Sequence, residues 1–194
     1  MQDGIKKLKS DLAILEAMAS EMDSYLVSDV LFWRMMKGGM PMLTLGGYLM
    51  RQHRLLALRH LLEPEEIGRL DTAVMQFNQA VTEKIVRLEQ KAHHELDARI
   101  RQWSEYLKDL AQGESAHSNY PVAVEARAMI EAIIDQLQMP PYRLEPTVPE
   151  RVTMLDKSLK SRWQKGTFVW PAEWESAYPA AKYWWLYGRP RSGQ

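Results

Sequence analysis

Between Pro64 and Gly113 the chain runs for 48 residues without a proline and with a single glycine, Gly68. Apolar residues recur through this stretch at Ile67, Leu70, Val74, Phe77, Val81, Ile85, Leu88, Ala92, Leu96, Ile100, Trp103, Leu107 and Leu110. Every step is three or four residues and the mean is about 3.6, the α-helical period. An unbroken helix of this length would be on the order of 70 Å long, and its apolar stripe requires other helices beside it. The expected fold is all-α: an elongated antiparallel helical bundle with one long central helix of about 48 residues. Because the long helix should overhang its neighbours, part of the stripe is expected to find a partner chain. Phe77, Val81, Leu88, Leu96, Ile100, Trp103 and Leu107 are the candidate interface, and a homodimer is the expected assembly.

The rest of the chain supplies the neighbours. Ile5, Leu8, Leu12, Leu15, Ala19, Met22 and Leu26 alternate steps of three and four, a heptad seam. The seam predicts a first helix from about Asp3 to Met36, with a break possible at Ser20, Ser24 and Ser28. Thr44 is an expected N-cap for a helix reaching Leu62, apolar on most sides and so enclosed by others. Pro64, Glu65 and Glu66 suit a fresh helix start. Glu83–Arg87, Glu95–Arg99 and Asp97–Arg101 have the spacing of solvated ion pairs. A polar loop follows from Gly113, then a helix from Pro121 to about Gln138. Thr147, Pro149 and Glu150 fit a capping box for a last helix ending near Lys165. The expected division is a bundle over 1–165 and an aromatic-rich, irregular C-terminal arm over 166–194. Between Trp163 and Tyr187 lie nine of the chain's 18 aromatic residues.

Composition narrows function by exclusion. Lys plus Arg and Asp plus Glu both number 25, so no net field draws the chain to nucleic acid or anionic lipid. There is no cysteine, which removes thiol nucleophiles, thiolate metal sites and disulfides. Tyr25 to Met50 is apolar-rich, but Asp29, Arg34 and Lys37 interrupt it, which argues against a transmembrane span and leaves an interfacial hairpin as a minor reading. The amphipathic N-terminus lacks a signal-peptide core, so a cytoplasmic location is expected. His53 and His60 share a helix face, and Glu89, His93 and Asp97 form an i, i+4, i+8 row. Neither matches a known metal pattern. Gly38-Gly39 and Gly46-Gly47 lack the lysine and strand context of a phosphate loop. No enzyme signature emerges, and no cofactor or metal is expected.

Three functional readings remain. The first is a non-enzymatic protein–protein interaction or assembly protein acting through coiled-coil-like faces. The second is a helical binding module for an apolar or aromatic small molecule. Its candidate groove combines Met35, Met36, Met40 and Met42 with Trp170, Trp174, Trp184 and Trp185, since methionine and tryptophan make adaptable binding surfaces. The third, less favoured, is a nucleic-acid-binding accessory protein with Arg51, Arg54, Arg59, Lys157, Lys160 and Arg162 as phosphate contacts.

Overall fold

The computed structural model of the protein describes residues 2–112 and 119–191. The chain is mostly helical: α1 Gln2–Val27, α2 Leu45–Ala57, α3 Pro64–Thr82, α4 Ile85–Gln112, α5 Tyr120–Ala123, α6 Glu125–Leu137 and α7 Thr147–Lys160. A two-stranded antiparallel sheet follows, β1 Trp163–Phe168 and β2 Tyr187–Pro190. Short 3-10 segments occupy Arg59–Leu61, Ala172–Ala177 and Trp184–Leu186. The loop expected from Gly113 falls on 113–118, outside the described residues.

The 48-residue central helix is corrected to two helices, and the longest helix, α4, has 28 residues. The ladder is interrupted at Glu83 and Lys84, where the Lys84 amide donates to the Val81 carbonyl three residues back. The Thr82 hydroxyl donates to the Asn78 carbonyl, a back-bond that bends helices. The two halves serve different neighbours. Glu66 and Arg69 of α3, and Lys84 in the turn that follows it, pair in turn with Lys9, Glu16 and Asp23 of α1. That ascending order makes α1 and α3 parallel, as the first and third helices of an up-down-up bundle must be. Beyond Lys84 the chain turns away to lie along α6 and α7. A straight rod could not follow both sets of partners. The periodic stripe survives because the backbone stays close to helical through the turn; at Glu83 φ is −78° and ψ is −16°.

α1 stops at Val27, not Met36. The Ser28 hydroxyl folds back onto the Tyr25 carbonyl, and Lys91 Nζ donates to the carbonyls of Ser28 and Val30. A cation just beyond the last turn complements the negative end of the helix. Burial holds Lys91 below the usual lysine range, with Asp29 opposing. Of the expected seam residues, Leu8, Leu12, Leu15, Ala19, Met22 and Leu26 are buried, and Ile5, at the start, is half-buried.

α2 is enclosed, as its all-round apolar pattern requires. Thr44 caps it, its hydroxyl accepting from the Gly47 amide at 3.0 Å. Arg51 and Arg54 meet Asp11 of α1, and the Tyr48 ring stacks on Phe77 of α3 at 4.2 Å. Gly46 lets α2 approach α4 and α6 closely. A Cβ there would stand 2.7 Å from Glu95 Oε1, 2.9 Å from Met129 Cβ and 3.1 Å from Ile133 Cδ1. Glu95 is fully buried and accepts from the Gly46 amide and Arg99 Nε, so its expected placement on a wet face is corrected. Burial pushes its carboxyl above the usual carboxylate range, against the pull of Arg99.

α3 starts at Pro64 with Glu63 and Glu66 forming a reciprocal capping box. At α7 the N-cap is Pro146, Thr147 lies inside the helix, and the helix ends at Lys160. It cannot reach Lys165 because Trp163 begins β1, so the expected bundle–arm boundary at 165/166 falls within that strand. The arm is correspondingly more ordered than an irregular tail. Gly188 (φ +148°) permits its core pairing, since a Cβ there would sit 2.2 Å from the Gln164 carbonyl oxygen.

Candidate functional site

The sharpest chemistry buried in the fold is a clasp around Arg54. Its guanidinium lies 3.8 Å from the Trp174 ring centroid and 5.1 Å from that of Trp170. Arg54 Nη1 donates to Asp11 Oδ2, and Nε donates to the Tyr178 hydroxyl at 3.0 Å. Trp174 Nε1 donates to the Gly4 carbonyl and Trp170 Nε1 to that of Pro121. Burial alone would depress the Arg54 pKa, but Tyr178 and Asp11 more than offset it, and the group stays charged. His53 completes the layer, its Nε2 at 2.8 Å from the Ala177 carbonyl. The clasp is an aromatic box already filled by the chain's own cation. It holds the arm to α1 and α2.

Other expected sites disperse in the same way. Phe77, Val81, Leu88, Leu96, Ile100, Trp103 and Leu107 are all buried in this chain's own core, so the stripe that was expected to seek a partner is covered from within. Met35 is buried, Met40 half-buried, and Met36 and Met42 are exposed, near the C-terminal end of α1. Trp170 and Trp174 lie near its N-terminal end, at Gly4. Gly4 and Glu21, which anchors the Met-rich connector, are separated by roughly 25 Å of helix. The expected Met–Trp groove is therefore not assembled, and the fully buried Trp185 belongs to the core. Of the phosphate candidates, Arg51 and Arg54 turn inward to Asp11, and Arg59 forms a two-point pair with Asp71. The Glu89, His93 and Asp97 row is a seam: Glu89 and His93 hold the backbone of Arg143, and Asp97 holds the Arg151 side chain. Among the described residues no cluster of three His, Asp or Glu could hold a metal ion.

Two expected residues from separate sets do come together. Lys160, the last residue of α7, places Nζ 4.8 Å from the ring centroid of Trp184. Trp184 meets Trp163 of β1 edge-on at 5.3 Å. With Lys165 and Tyr187 they border an open cleft of about 550 Å³, floored by Ala180 and Ala181. That volume suits a small molecule. Both indoles are half-buried, so each keeps ring surface toward solvent. Tyr187 is fixed by its hydroxyl donating to the Tyr178 carbonyl at 2.8 Å, and Trp163 rests against Tyr120 at 5.8 Å. Burial raises the Tyr187 pKa, with Glu175 adding to it. Among the described residues no carboxylate borders the cleft, whereas a similar groove between α4 and α7 mixes Asp97 and Glu105 with Arg101, Lys108 and Arg151.

In the sequence Trp163 stands out only as one of nine clustered aromatics and Lys165 only as one of a cluster of basic residues, and neither is singled out as a site residue, since the last helix is expected to run to Lys165. The available signal is the run from Trp163 to Phe168, too short and too interrupted by Gly166 to be told from a helix end without β2. No family model, curated protein or solved structure matches this chain.

Proposed function

We propose that the protein is a non-catalytic binding module whose ligand is a flat aromatic anion held in the Trp163–Trp184 cleft. One observation carries the reading: two indoles and two lysines converge on a ligand-sized cleft that no carboxylate of the described residues borders. Indole faces and edges attract ring systems, and ammonium groups attract a carboxylate, sulfonate or phosphate beside the ring. The alternative of assembly through the α3–α4 stripe rests on residues that the chain itself encloses. A nucleic-acid role draws only on Lys157, Lys160 and Arg162 at the end of α7, since Arg51, Arg54 and Arg59 are engaged with carboxylates.

Calorimetric titration with 2-naphthoate and its neutral counterpart 2-naphthalenemethanol tests this reading. Binding of the anion should exceed that of the alcohol several-fold. The exposed pair Lys160→Ser and Lys165→Ser should remove the difference without changing the melting temperature. Absence of binding by millimolar naphthoate, or equal affinity for both compounds, would overturn it.

A further inference from the structure

The connector between α1 and α2 carries a second surface, at the other end of the molecule from the clasp. Trp33 and Leu43 exchange both backbone hydrogen bonds, at 3.0 and 2.8 Å, and so close a nine-residue loop over 34–42. Glu21 of α1 fastens its base, accepting from Trp33 Nε1 at 2.8 Å and the Met36 amide at 2.9 Å. The tip stands clear of the fold: a Cβ at Gly38 or Gly39 would meet nothing within 4 Å.

Along this connector burial alternates as in an extended strand. Leu31 and Trp33 are half-buried and Met35 is buried, while Val30, Phe32, Arg34 and Met36 face outward. Phe32 is 43% exposed and Met36 92%. The Trp33–Leu43 pairing sets Met42, 52% exposed, opposite Arg34 on that outer side. Lys37 stands at the tip. Between Val30 and Leu62 the chain has no acidic residue. The charged groups of the neighbouring elements include Glu21, spent on the loop base, Arg99, 5.3 Å from the Phe32 ring, Lys91, spent on the Ser28 and Val30 carbonyls, and Asp29 at the foot of the connector, toward Arg87.

We propose that this loop is a membrane-surface anchor, inserting Phe32, Met36 and Met42 among the acyl chains of an anionic bilayer while Arg34 and Lys37 meet the headgroups. Apolar side chains on a projecting loop with cations beside them are complementary to an anionic lipid–water boundary. Anchoring is peripheral: among the described residues no helix is long and apolar enough to cross a membrane.

The test is flotation of the full chain with phosphatidylcholine vesicles, with and without 30% phosphatidylglycerol, at about 0.1 M salt. The protein should float with the anionic vesicles and far less with the neutral ones. Replacing Arg34 and Lys37 by glutamine should lower the partition coefficient about 25-fold, taking roughly 1 kcal/mol per basic residue. Phe32→Ser with Met36→Ser should abolish flotation, and both variants should melt like the parent because the altered side chains are exposed. The Lys160→Ser, Lys165→Ser pair should float unchanged, which separates this surface from the cleft. Failure of the parent to float with anionic vesicles, equal flotation with neutral ones, or indifference to either loop variant would overturn the proposal.

Discussion

Alanine at position 46 should destabilise the protein, although glycine to alanine inside a helix ordinarily does the reverse. Relieving the conformational entropy of glycine is worth about 0.5–1 kcal/mol in a helix interior, and at most that in the first turn of α2. Against this gain stands the space. The new methyl would lie 2.9 Å from Met129 Cβ, an atom fixed to the backbone of α6, so the two helices must separate. It would also lie 2.7 Å from Glu95 Oε1, which cannot swing aside cheaply because Arg99 and the Gly46 amide hold that carboxylate in a buried site. Overpacking of this kind costs about 1–3 kcal/mol, and separation lengthens the amide–carboxylate bond as well. The net loss should be about 2 kcal/mol, or roughly 4–8 °C in melting temperature for a chain of this size. Gly68 supplies the internal control. It lies within α3, and a methyl added there would meet nothing within 4 Å, so Gly68→Ala should stabilise by about 0.5–1 kcal/mol. Urea unfolding followed by circular dichroism measures both. If Gly46→Ala is neutral or stabilising while Gly68→Ala behaves as stated, the close approach of α2 to α6 is wrong.

The clasp and the stripe give two further expectations. Arg54→Met keeps much of the side-chain volume but removes the cation from Asp11, Tyr178 and Trp174; a loss of about 3 kcal/mol is expected, at the low end for a broken buried pair because Arg51 still attends Asp11. Limited proteolysis should then cut in the arm, and a loss under about 1 kcal/mol with an uncut arm would contradict the clasp. Leu96→Ala should cost about 2–5 kcal/mol of unfolding free energy, as for a leucine within a chain's own core. An unchanged stability accompanied by altered sedimentation would instead return the stripe to an interface between chains.

How far the chain can be read in advance depends on whether the deciding contact is local. The seam from Leu8 to Leu26, the Thr44 cap and the Pro64 start all depend on residues within a turn or two, and each is found where expected. The turn at Glu83 and Lys84 is invisible in the sequence because neither residue breaks helices. What divides α3 from α4 is the choice of neighbour, α1 for one and α6 with α7 for the other. Glu95 looks like half of a solvated i,i+4 pair because spacing reports only the partner on the same helix; the amide that buries it belongs to Gly46, 49 residues away. The cleft mixes both kinds of information. Lys160 and Trp184 stand out separately, for charge and for aromaticity, and only the pairing of β1 with β2 sets them side by side. The Met-rich connector is unusual on composition alone, while its alternation of inner and outer residues is hidden by the expectation that α1 runs on to Met36.

The clasp also fixes an order of events. Arg54 and Asp11 emerge early from the ribosome, but the rings that roof them arrive with Trp170, Trp174 and Tyr178, more than a hundred residues later. Until then the pair stays hydrated and α2 lacks one of its walls. Docking of the last segment is thus the step that dries the ion pair, and a nascent chain halted before Trp163 would present water where the finished molecule presents indole.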